Sequence, residues 1–170
     1  SLKYLHPQQG LPVSADNLSE LTEQLARLAV NQHVHFLTQP FPLETEFLQQ
    51  MRTSFGYEKL QEKLTFSAQV PLNALTLESL DQLNRLHFTE LHLPLLIESC
   101  DLAQLESILA QARAMKLKIQ LLLKTEVASP PLSALVDLYF FLQDHVGWYG
   151  LEYAPALFSE PTIARRFDRL

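Results

Sequence analysis

Glycine is scarce in this chain, with four in 170 residues, which leaves little room for flexible linkers or for glycine-rich loops that cradle phosphates. Cysteine occurs once, at Cys100. A single thiol excludes an internal disulfide framework, a four-cysteine zinc site and a three-cysteine iron–sulfur cluster within the chain. It also makes a reducing, cytoplasmic compartment the default expectation. Long apolar runs are missing too: stretches such as Leu121–Leu123 and Leu138–Leu142 fall far short of the roughly 20 residues that cross a bilayer. There is no basic excess. Net charge is −6 and the thirteen Lys and Arg are scattered, so the electrostatic footprint of a nucleic-acid binder is lacking. No basic start followed by an apolar run marks a leader, and the chain opens on Ser1, not Met.

What remains is a globular balance, 47% hydrophobic and 19% charged, on a length that suits one domain with a real core. We expect a single α/β domain over residues 1–170. Ser14, Asp16 and Asn17 precede Leu18, Leu21, Leu25, Leu28 and Ala29 at helical spacing, which predicts a helix over 15–30. Val34, Phe36 and Leu37 then form a short strand, closed by Pro40 and Pro42. The alternation repeats, with strands expected near Leu64–Val70, Glu90–Leu93, Leu117–Leu123 and Tyr149–Tyr153. Helices are expected near 43–54, 76–86, 101–115, 131–145 and 159–168, with Thr76 and Asp101 as caps and Pro131 in a first turn.

Strands starting about 25–32 residues apart match a βαβ unit, hence a parallel sheet with right-handed crossovers. Two architectures fit: a partial (β/α) barrel of about five strands, or an open doubly wound sheet. Both place ligands at the carboxyl ends of strands. This nominates Thr38, Gln39, Gln69, Asn73, Pro94, Lys124, Glu126 and Tyr153 as ligand-binding positions.

Chemistry is thinner than geometry. His33 and His35 alternate onto one strand face, where two imidazoles can share a metal. With His92 and Lys124 on later strands they resemble the site of metal-dependent hydrolases built on barrels, but no matched acidic ligand is evident. The plainer reading is a polar strand face with each histidine hydrogen-bonded. Lys124 and Glu126 read either as an acid–base pair or as an exposed ion pair. Cys100 has no neighbouring base and reads as a small apolar residue. Arg165 and Arg166 complement a helix dipole. Trp148 and Tyr149 beside Gly147 and Gly150 line a recognition surface or anchor the fifth strand.

Several segments carry a family resemblance. SLKYLHPQQGLPVS at Ser1–Ser14 and VHFLTQPFPLETEFLQQM at Val34–Met51 resemble the opening of a radical S-adenosylmethionine (radical SAM) core of the peptide- and sulfatase-modifying maturases. FSAQVPLNALTLESLDQL at Phe66–Leu83 resembles the strand ending in Q-T-N-G and the helix beyond it. ELHLPL at Glu90–Leu95, KIQLLLKTEV at Lys118–Val127 and WYGLEYAP at Trp148–Pro155 continue the layout, so the likeness runs over nearly the whole chain.

The resemblance implies a C-x3-C-x2-C loop holding a 4Fe–4S cluster, yet the corresponding stretch near Ser1–His6 has no cysteine. The family's GGEP segment, which contacts the cofactor's amino group, falls on Gln39, Pro40, Phe41 and Pro42, and T-N-G is replaced by Val70, Pro71 and Leu72. The expectation is therefore a degenerate, non-catalytic radical-SAM-like binding or scaffolding module that takes no cofactor and engages a peptide or partner protein. Nucleic acid and membrane are not expected as partners. Two alternatives are a metal-dependent hydrolase using His33 and His35, and an accessory fragment of a larger enzyme.

Overall fold

The computed structural model describes residues 13–36, 41–127, 130–154, 157–158 and 161–170. Its elements run α1 (Leu18–Ala26), β1 (Gln32–Phe36), α2 (Thr45–Tyr57), α3 (Leu60–Lys63), β2 (Leu64–Gln69), α4 (Leu77–Arg85), β3 (Phe88–Leu96), α5 (Leu102–Ala114), β4 (Lys118–Lys124), α6 (Leu132–Asp144), β5 (Gly150–Tyr153) and α7 (Pro161–Phe167). All five strands are parallel and lie in one sheet in the order β1-β2-β3-β4-β5. This is the expected strand–helix alternation. The order has no reversal, so it lacks the switch point of a doubly wound sheet. Successive right-handed crossovers in one direction put all helices on one face. In agreement, α1 packs on α2, α2 on α4 and α4 on α5.

Strand alternation makes two unlike faces. Toward the helices point Val34 and Phe36, then Leu64, Phe66 and Ala68, then Leu91, Leu93 and Leu95, then Ile119, Leu121 and Leu123, all buried. Phe36, Phe66 and Phe88 meet there with ring centroids 5.7–5.8 Å apart, and Phe41 and Phe55 join them. The opposite, open face carries His33, His35, Thr65, Ser67, Gln69, Glu90, His92, Lys118, Gln120 and Lys124. The register pairs His35 with Ser67, Ser67 with Glu90 and Glu90 with Lys118.

Some boundaries differ from the expected ones, each for a physical reason. The first helix is shorter than 15–30: a 3-10 turn at Ala15–Asn17 precedes it, and the chain leaves the helix after Ala26 to reach β1, where Asn31 N–H donates to the Lys63 carbonyl. The third strand runs on through Pro94, a residue that cannot donate to a ladder. Val70 N–H donates to the His92 carbonyl, so His92 and, two residues on, Pro94 turn their backbone toward β2. By Pro94 that strand has ended, its last pair being Gln69 with His92, so no bond is lost. Earlier in β3 the register slips one residue between Phe66–Phe88 and Ser67–Glu90; this bulge leaves both Thr89 and Glu90 off the helix-packed side.

Among the described residues no helix is long and apolar enough to cross a membrane.

Candidate functional site

A cleft of about 580 Å³ opens at the carboxyl edge of β2, β3 and β4. Short 3-10 turns after β2 (Leu72–Ala74) and after β3 (Ile97–Ser99) shape its rims, and α5 begins at its wall, capped where Asp101 Oδ1 accepts from Gln104 N–H at 3.0 Å. Gln104 in turn donates through Nε2 to the carbonyls of Leu72 (2.9 Å) and Leu75 (3.1 Å), tying the helix start to the turn after β2. The apolar walls are Pro71, Leu72, Pro94, Leu95 and Leu96, and the polar groups that reach it include Gln69, Asn73 and Lys124. Four of the positions expected from strand-end geometry, Gln69, Asn73, Pro94 and Lys124, are thus brought together.

Thr38 and Gln39 lie outside the described residues, and Glu126 and Tyr153 do not line this cleft. Glu126 is exposed in the turn beyond β4 and makes no ion pair with Lys124. Tyr153 alternates to the helix side of β5, where its ring packs 5.2 Å from Phe158 and its hydroxyl donates to Asp168. Sequence reasoning did not single out Glu98, whose carboxylate accepts from the Thr125 hydroxyl across the β3 and β4 loops and is held below its ordinary range chiefly by that bond. Nothing in spacing marks this pair, since 27 positions separate its members.

Cys100 also lines the cleft, half-buried, and burial together with Asp101 pushes its thiol up to about 11. Such a thiol is neither a ready nucleophile nor a ready metal ligand. The 4Fe–4S cluster of a radical SAM core requires several thiolates, and this chain supplies one, disfavoured as the anion. The residues present do not fit that group. At the loop positions where the resemblance places cofactor contacts, Phe41, Val70 and Leu72 turn inward with 2%, 0% and 7% of their surface exposed. Phe41 packs into the aromatic core, its ring centroid 5.5 Å from those of both Phe36 and Phe88.

His33 and His35 sit elsewhere, on the open face. His33 Nδ1 lies 2.8 Å from Thr65 Oγ1, and Ser67 Oγ lies 2.7 Å from both His33 Nε2 and His35 Nδ1. Three of their four ring nitrogens are therefore engaged by hydroxyls, as in the plainer sequence reading. Among the described residues no group of three or more His, Cys, Asp or Glu has an arrangement that holds a metal ion.

No family model matches the chain, and no curated protein matches it in sequence. Among solved structures it is similar to coproporphyrinogen III oxidase (HemN) from Escherichia coli, a radical SAM enzyme, with a TM-score of 0.53 at 14% identity. The chain has a radical-SAM-like fold. The match covers 91% of this chain and 39% of the enzyme, so the chain spans about two fifths of the length of that neighbour. At that identity the likeness concerns the path of the backbone and carries no catalytic residue across.

Proposed function

We propose that this chain is a degenerate radical-SAM-like module of the maturase kind that has given up cluster chemistry and binds a peptide or a partner protein at its carboxyl-edge cleft. The observation that carries this reading is the inward packing of Phe41, Val70 and Leu72, which fills with core side chains the strand-end positions that a cofactor would need. The cleft beside them keeps the makings of a peptide groove. Its leucine and proline walls suit alternate side chains of an extended segment, while Gln69, Asn73 and Lys124 offer hydrogen bonds and one positive charge to its backbone or terminus. An exposed apolar stripe of Leu132, Val136 and Phe140 along α6 fits a protein that meets others.

The test has two arms. Anaerobic reconstitution with iron and sulfide is expected to give no 4Fe–4S spectrum; a cluster that cleaves S-adenosylmethionine reductively overturns the non-catalytic reading. Peptides selected on the wild-type chain from a random display library are expected to lose roughly tenfold or more in affinity on Asn73→Arg, an exposed position on the cleft rim. Selected peptides that bind the variant equally well overturn the cleft as the site.

A further inference from the structure

A second hollow, of about 330 Å³, opens on the open face of the sheet, lined by His33, His35, Ser67, Glu90, His92 and Lys118 among others. Five residues that titrate or carry charge gather there from three strands. Burial is the main cause holding both His33 and His35 below the ordinary imidazole range, against the opposing pull of the Glu90 carboxylate. The other charged or titratable groups facing these two rings are Glu90 and His92 on β3 and Lys118 on β4, while β2 between them contributes the uncharged Thr65, Ser67 and Gln69.

The hydrogen bonds show what protonation does. Ser67 Oγ has one proton and two imidazole nitrogens at 2.7 Å, so at least one ring donates to it. When both rings are neutral, the network closes on itself: Thr65 to His33, His33 to Ser67, Ser67 to His35, or the reverse. When both are protonated, His33 donates to Thr65 and to Ser67, and His35 donates to Ser67 as well. The Ser67 hydroxyl then has both lone pairs filled and its proton released. His35 Nε2, without a hydrogen-bond partner among the described residues, becomes a second donor, and Lys118, which makes no ion pair among them, is a third. Glu90 is the carboxylate at hand, but its Oε1 already holds His92 Nε2 at 2.8 Å. The His35 and His92 rings stand 4.8 Å apart, so further positive charge there is tolerated only with a counter-charge.

We propose that this hollow is a proton-coupled oxyanion site, taking a sulfate- or phosphate-class anion on the Lys118 ammonium, the Ser67 hydroxyl and the protonated His35 Nε2, while the His33 imidazolium, both its N–H groups held by Thr65 and Ser67, adds only its charge. Proton uptake and anion binding then reinforce each other, since each favours the state the other requires. The sign follows from the lowered imidazoles. Without anion, the folded chain takes up protons less readily than the unfolded one, so the contribution of these two groups to stability is full above about 6.5 and falls as pH drops through that value. An anion bound to the protonated rings restores it.

Sulfate is the probe, because it does not titrate in this range. Thermal unfolding and calorimetric titration of the full chain are run in sulfate and in chloride of equal ionic strength, at about pH 5.5 and about pH 8. Sulfate is expected to raise Tm at the lower pH alone, with protons taken up and at least about tenfold tighter binding than at the higher pH. The double variant His33→Gln, His35→Gln is expected to lose this response. Glu90→Gln, which removes the opposing charge and with it the carboxylate that favours both imidazolium forms, is expected to tighten sulfate binding once the rings are protonated and to move its onset to lower pH. Equal effects of sulfate and chloride at the lower pH overturn the site, as does a double variant that still responds. Should the double variant not fold, Glu90→Gln decides: an onset of sulfate binding that does not move to lower pH overturns the proposal.

Discussion

Asn31, Lys59, His87 and Lys116 all adopt a left-handed backbone, with φ between 53° and 70°. Three of them stand where a helix gives way to a strand, the place glycine commonly takes, in a chain that has four glycines to spend. A β-carbon there costs roughly 1 kcal/mol. Lys116, exposed and without an ion pair among the described residues, allows a clean test: Lys116→Gly is expected to raise unfolding stability by about 0.5–1 kcal/mol, the relief of strain outweighing glycine's greater entropy when unfolded. Urea denaturation should show a higher midpoint at unchanged slope, and a midpoint that stays or falls removes strain as the account. His87 is a poorer choice, since its Nδ1–H donates to the Leu64 carbonyl at 2.9 Å. No pattern of apolar residues reveals such positions, because the φ of Lys116 is set by the need to turn α5 back into β4. The histidines were more legible. Period-two alternation put His33 and His35 on one face, but their partners Thr65 and Ser67 lie 32 and 34 positions from His33, beyond any local rule.

Local signals also explain which elements could be read in advance. Thr76 caps α4 through a reciprocal pair: its hydroxyl accepts from Ser79 N–H at 3.1 Å, and Ser79 Oγ accepts from Thr76 N–H at 2.9 Å. The donors of a first helical turn have no partner within the helix, so this box is visible in sequence as a polar residue before an apolar stripe. Thr76→Ala is expected to cost about 1 kcal/mol, and Thr76→Ser to recover most of it, measured by thermal or urea unfolding. An alanine variant as stable as the parent would show that the cap is dispensable. By contrast, the four residues of α3 and the 3-10 turns after β2 and β3 are too short for periodicity, and the two turns shape the cleft rims. Phe41 lies in a loop, as expected, but its side chain is a core one, because a turn that brings an aromatic ring back to Phe36 and Phe88 buries more apolar surface than one left open.

Across the whole molecule, β3 is paired on both sides and carries Leu91 and Leu93 with no exposed surface, while β1 and β5 each have one neighbour in the sheet. Amide hydrogen exchange is therefore expected to be slowest in β3 and the adjoining part of β4, and fastest in Gln32–Phe36 and Gly150–Tyr153. Equal protection of all five strands would mean that the sheet opens only as one unit. The alternation of strands and helices was the most readable property of this chain, since each unit repeats the same burial problem. Its spatial order was not, because a consecutive and a reversed sheet use crossovers of the same length. That consecutive order bears on synthesis: a ribosome delivers these strands in the sequence in which they pair. The first waits for the second and for nothing made later, and each unit that follows emerges to find its neighbour already there, so the growing edge of the sheet stays unpaired for only one unit's worth of translation.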